Sequence, residues 1–144
     1  MSTSSSHTTY PATYPAKLPL TLLIMRISIA LFLLPWVIEK FTNPETTAKI
    51  FAHFYHIENL SVYASYGVGG LWALLWLAFV SGYKKRFSYG LVMGLHGLGT
   101  IFTWRQLMPF LETHNHLFLA ALPTLGAMIA LYLLRSSDTM FSLK

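Results

Sequence analysis

No cysteine occurs in the 144 residues, so a disulfide, a thiol relay, a persulfide carrier and a Cys-ligated metal are all excluded from the chain's own chemistry. Charge is almost as scarce. Asp, Glu, Lys and Arg make up 10% of the residues, against roughly 25% in an average soluble domain. The formal net charge of +5 does not indicate nucleic acid, because Lys84, Lys85 and Arg86 lie in a short connection between two apolar runs and not along an amphipathic face. They read instead as signals of membrane topology. A cleavable signal is lacking too: residues 1–19 contain Lys17 as their only base, and Trp36-Val37-Ile38-Glu39, where the first apolar run ends, offers no small-residue cleavage site.

What the chain has in quantity is apolar sequence, 54% of the total. Four stretches, at about 20–38, 61–80, 87–104 and 117–134, each approach the roughly 20 residues a helix needs to cross about 30 Å of hydrocarbon. Backbone polar groups must be satisfied within lipid, so these runs are expected as helices. The expectation is an all-α integral membrane four-helix bundle, residues 20–135. A Ser-, Thr-, Pro- and Tyr-rich disordered tail at 1–19 precedes it, and a cytoplasmic tail at 136–144 follows.

The basic residues set an orientation. Lys17, Lys84, Lys85, Arg86, Arg135 and Lys144 fall on one side of such a bundle, and Lys40, Lys49 and Arg105 on the other. The excess places both termini in the cytoplasm of a bacterial inner membrane. Glu39, Glu45, Glu58 and Glu112 then face outward. In the first outer loop Asn43 can cap, Pro44 suits a first helical position and Glu45 complements the positive helix end. A short interfacial helix from about Pro44 to His56 is expected, with Ile50, Phe51, Phe54 and Ile57 turned inward. In the third run Gly90 and Gly94 form a small-xxx-small pair suited to close helix approach, while Pro35 and Pro123 should bend their helices.

Histidine and arginine carry what chemistry the sequence suggests. His96 falls near the middle of the third run, with Thr100 and Thr103 on the same face. At that depth an imidazole is either a neutral group bonded to Thr100 or a backbone carbonyl, or a donor to a quinone carbonyl and a proton relay. Arg26 lies about 9 Å inside the first run. It either snorkels to the headgroups or points into the bundle and binds an anionic or carbonyl ligand. On the outer side His53 and His56, three apart on a helix, and His114 and His116, two apart in an extended segment, together present four imidazoles. Zinc or copper accepts such ligands, with Glu58 or Glu112 in addition; interfacial packing is the plainer reading. Trp36, Trp72, Trp76 and Trp104 suit interface anchors and bundle packing, and Glu39 and Lys40 are placed to pair with Arg105 and Glu112 across the rim.

The succession Arg26, Ala30, Phe32, Glu39-Lys40-Phe41 and Asn43-Pro44 resembles the DoxX family of small bacterial four-helix membrane proteins. The likeness continues through His96-Gly97, Thr103-Trp104 and Asn115 to Pro123. Family members often carry glycines in the first span where this chain has Ala30 and Val37. The resemblance implies a four-helix bundle and association with quinone-linked sulfur oxidation, as a small subunit of a thiosulfate:quinone oxidoreductase or an accessory partner in redox complexes. Lacking cysteine, the chain would leave any sulfur-handling step to another subunit. The leading expectation is therefore an accessory membrane subunit of a quinone-linked redox or respiratory system, with His96 and Arg26 lining a cavity. Its partners would be lipid, redox-complex subunits or further copies of itself. A periplasmic-facing metal-handling protein and a structural or transport protein without catalysis are the alternatives.

Overall fold

A computed structural model describes residues 16–58, 60–107 and 116–143, with backbone only for His116 and Leu117. Among the described residues every regular element is helical: α1 Leu18–Thr42, α2 Pro44–Tyr55, α3 Val62–Val80, α4 Lys85–Phe102, α5 Trp104–Leu107, α6 His116–Leu119 and α7 Ala121–Leu133. The four longer apolar helices close a ring, α1 packing on α3 and α7, and α4 on the same two. Leu22, Ile29, Ala30, Leu33, Phe79, Tyr89, Val92, Met128 and Leu131 form the core between them.

Two of these helices, α1 and α3, are long and apolar enough by length and composition to cross a membrane. The other two expected spans are interrupted or carry charge. α4 begins on Lys85 and Arg86 and stops at Phe102, where Thr103 turns the backbone before the single turn of α5. There the Thr103 hydroxyl donates to Gly99 O at 2.9 Å, competing locally with helix continuation. The fourth run breaks at Ala120 between α6 and α7. Pro123 accounts for the break, since its ring and missing N–H oppose a bond to Leu119 O. By contrast α1 runs through Pro35 without interruption.

The ends of the bundle differ. At one end the start of α1, the turn at 81–84 and residues 134–143 meet, and Leu143 N–H donates to Ser81 O at 2.9 Å. At the other end α2 crosses toward the end of α4, with the Tyr55 and Phe102 rings 5.0 Å apart. α2 occupies nearly the expected residues, with Pro44 in its first turn and Glu45 beside it. Asn43, however, contributes no side-chain cap; its carbonyl accepts from Thr46 N instead. Ile50, Phe51 and Phe54 are half-buried as expected, whereas Ile57 lies past the helix end and is exposed.

Close helix approach uses Gly90 of the expected pair but not Gly94. A Cβ at Gly90 would lie 3.2 Å from the Tyr132 ring and one at Gly97 3.7 Å from Leu125, while one at Gly94 would meet nothing within 4 Å. Residues seven apart share a helix face, so α7 rides on Gly90 and Gly97. The tightest interhelical approach is at Gly69 of α3, whose added Cβ would meet Lys40 Cβ at 3.1 Å and Phe41 at 3.2 Å. Gly69→Leu should therefore cost about 1–3 kcal/mol by overpacking the α1–α3 seam, read as earlier unfolding in a detergent titration. Gly94→Leu, in open space, should stay near the parent value.

Candidate functional site

Arg26 is fully buried, one helical turn from Leu22 and Ile29 on the inward face of α1. A lone guanidinium there would be prohibitively desolvated, and the chain itself supplies its partners. Nη1 donates to Asp138 Oδ2 at 2.9 Å and to the Tyr89 hydroxyl at 3.2 Å. Nη2 donates to the carbonyls of Met140 at 2.7 Å and Phe141 at 2.9 Å. The Tyr89 hydroxyl in turn donates to Asp138 Oδ2 at 2.5 Å, and Lys85 Nζ donates to Asp138 O. Arg26 Nε and Asp138 Oδ1 are the two buried atoms of this cluster without a partner.

Three helices and a strap build the cluster. α1 contributes Arg26, α4 contributes Tyr89 one turn past Lys85, and the segment after α7 folds back across the end of the bundle to bring Asp138, Met140 and Phe141 over them. The expected cytoplasmic tail is thus, over its described residues, a packed strap. The Phe79 ring, 5.0 Å from that of Tyr89, walls the site from α3. Of the two orientations open to Arg26 in the sequence, the inward one is adopted, and the anion and carbonyls it binds are the chain's own. Asp138 and Tyr89 were missed. One signal in the sequence points to Asp138: the expected orientation puts four of the five acids on the outer side, which leaves Asp138 as the lone acidic side chain on the side where Arg26 enters.

His96 lies at another level. Its Nε2 is 3.1 Å from Ala121 O; a carbonyl only accepts, so Nε2–H is the donor and Nδ1 is the ring nitrogen not used in this bond. The Phe32 ring meets the imidazole edge-on at 6.2 Å. The Thr100 hydroxyl donates to His96 O at 2.8 Å and that of Thr103 to Gly99 O, so both hydroxyl protons are used within α4. Tyr89 and His96 are seven residues apart on α4, about 10 Å along the axis. Arg26 and His96 therefore head separate polar clusters linked by the α1–α4 interior.

At the opposite end His53 is exposed and packs edge-on against Phe54 at 4.6 Å. His56 falls beyond α2 in a left-handed conformation, φ 56°, and does not share the helical face of His53. Among the described residues no three His, Asp or Glu side chains converge as a metal site; His114, Glu112 and the His116 side chain lie outside the described residues. The expected Glu39–Lys40 rim pairing with Arg105 is not formed. Lys40 Nζ donates to Trp36 O and sits 5.9 Å from the Trp72 ring centre, and Arg105 stacks over Trp104. Trp76 is an internal tie, its Nε1 donating to Ala30 O at 2.8 Å.

Compared with protein-family models, curated proteins and solved structures, the chain matches none.

Proposed function

We propose that this chain is a polytopic membrane protein whose four long apolar segments cross a bacterial inner membrane with both termini in the cytoplasm, and that it serves as an accessory subunit of a quinone-linked redox system. The observation that carries the membrane reading is that large apolar side chains cover the outside of the bundle while its small and polar groups turn inward beside the apolar core. α3 buries Ser65 and Gly69 while exposing Leu71, Leu74 and Leu77; α4 buries Ser88, Tyr89 and Thr100 while exposing Leu91, Leu98 and Ile101. In water this arrangement exposes far more contiguous apolar surface than a monomer tolerates; in hydrocarbon it is the stable one. α4 is about 27 Å long at 18 residues, and residues 116–133 give α6 and α7 together the same reach. α2, with Phe51 and Phe54 inward, lies at the outer interface.

An accessory role fits how the interior polar groups are used. Both terminal nitrogens of Arg26 are engaged by its own chain, His96 is anchored to Ala121 O, and cysteine is absent, so the bundle offers lipid-facing apolar surface and little reactive chemistry. The resemblance to the DoxX pattern supports the quinone link. In that reading His96 Nδ1 accepts from a quinol hydroxyl while Nε2–H stays on α7.

Topology is testable without background labelling because no native thiol is present. In intact inner-membrane vesicles of known orientation, Ser136→Cys and Thr139→Cys should react with an impermeant maleimide only from the cytoplasmic side, and Thr46→Cys only from the other. Labelling of all three from one side, or recovery of the chain in the soluble fraction, would refute the reading. The redox assignment is tested on the same membranes. Quinone should co-purify with the parent at near-unit stoichiometry and be lost from a folded His96→Leu variant; the same low quinone content in both would remove it.

A further inference from the structure

The cytoplasmic-side end of the bundle holds more positive charge than orientation requires, and the charge is gathered around a hollow. Lys84, Lys85, Arg86 and Arg135, with Ser136 and Ser142, line an open cleft of about 500 Å³. A second, of about 630 Å³, shares Lys84, Lys85 and Arg86 and continues onto Phe87 and Tyr132. The positive-inside preference needs these cations on one side of a membrane; it does not need the start of α4 and the turn after α7 to converge.

Three features make this cleft a receptor for an anion. First, among the described residues the only ion pair is the buried Arg26–Asp138, so no described carboxylate pairs with Arg86 or Arg135. Second, α4 starts here with Lys84 in a left-handed conformation, φ 41°, without a side-chain cap and without an acid in its first turn. Its positive end thus adds to the side-chain charge. Third, Arg135 is pre-positioned: its guanidinium lies 4.5 Å from the Tyr132 ring centre and Nη1 donates to Tyr132 O at 2.7 Å.

The apolar wall decides what kind of anion fits. Phe87 is exposed beside Tyr132, and the surface continues along α4 and α7 through exposed Leu91 and Leu133. We propose that this end of the α4–α7 seam is a binding site for an anionic phospholipid, its phosphate held by Arg86, Arg135 and Lys84 and its acyl chains laid over Phe87 and Tyr132. A free phosphate would use the basic cleft alone. The proposal rests on the membrane reading above.

Native mass spectrometry of the full chain, purified in mild detergent, tests it. Phosphatidylglycerol should be retained in preference to phosphatidylcholine with the same acyl chains. Arg86→Gln with Arg135→Gln should weaken phosphatidylglycerol about 25-fold, at about fivefold for each cation removed near the surface, and leave phosphatidylcholine unchanged. The control pair Lys49→Gln and Arg105→Gln, at the other end, should change neither. Arg86→Lys with Arg135→Lys keeps the charge and should keep most of the preference, which serves as the test if the Gln pair does not fold. Equal retention of the two lipids by the parent, equal loss in the control pair, or displacement of phosphatidylglycerol by inorganic phosphate would each overturn the proposal. Such outcomes in a chain that fractionates with membranes would leave the membrane reading standing, whereas a soluble chain would end both.

Discussion

Asp138→Ala should lower the unfolding free energy by about 3–5 kcal/mol, the cost of leaving a buried guanidinium without its carboxylate. Arg26→Met, which strands the carboxylate instead, should cost a similar amount. The double variant Arg26→Met with Asp138→Leu should recover most of that loss, because a buried pair exchanged for apolar groups of similar volume is close to neutral. The coupling between the two sites is then the quantity to measure, by a double-mutant cycle in a detergent unfolding titration followed by tryptophan fluorescence. Additive losses in the double variant would show that the two residues do not act as a pair. A local readout accompanies the global one. With the Asp138 carboxylate gone, the strap loses its ion pair to Arg26 and its bond from the Tyr89 hydroxyl, keeping only backbone acceptors for Lys85 and Arg26, and trypsin should cleave after Arg135 at a concentration that leaves the parent intact. The phenol of Tyr89 stays bound to Arg26 in the single Asp138 variant, so α1 and α4 should remain docked while the strap opens.

The helical segments were legible because lipid and an apolar core both demand runs of about 18–20 apolar residues, and composition alone displays them. α2 was legible for a different reason: Asn43-Pro44-Glu45 marks a helix start by chemistry, and the proline and acid took their expected places although the Asn side chain did not cap. The unread parts are those where residues distant in sequence decide the outcome. Arg26 and Asp138 are 112 positions apart, and only a strap folded over the bundle joins them; no local pattern encodes that fold-back. The third and fourth runs looked continuous in hydropathy, yet Thr103 and Pro123 interrupt the backbone through hydrogen-bonding chemistry that hydropathy does not register. The glycine pairing failed for a geometric reason. A four-residue spacing suggested Gly90 and Gly94, but α7 follows the face seven residues repeat on, and Gly97 takes the second contact. For His96, depth in a run was readable from position, while its bond to Ala121 O depends on where the break at Ala120 places that carbonyl.

Gly82→Ala should cost about 2–4 kcal/mol, more than any other single methyl addition in the described glycines. Gly82 ends α3 in a left-handed conformation, φ 64°. Tyr83 N–H bonds to Ala78 O at 2.9 Å and Gly82 N–H to Phe79 O at 3.1 Å, the paired bonds of a helix ending that turns through a left-handed residue. An L side chain in that conformation costs about 1–2 kcal/mol by itself. Space adds the rest: a Cβ would lie 2.6 Å from Arg26 Nη1 and 2.8 Å from Ser142 Cβ, in a site where Nη1 is held by two bonds and the strap by six. The methyl can be housed only by displacing Arg26 or lifting the strap, and either move weakens the ion pair. Gly82→Asn separates the two costs, since Asn tolerates the left-handed conformation but brings the same Cβ; it should be only slightly better than Ala. Introduced into the Arg26→Met, Asp138→Leu background, where Nη1 no longer exists, Gly82→Ala should cost less than in the parent, keeping the conformational part of about 1–2 kcal/mol and the contact with Ser142 Cβ. An equal cost in both backgrounds would place the strain in the turn and against Ser142 and not against Arg26, and a change below about 0.5 kcal/mol in the parent would mean that the strap does not close over Gly82 at all.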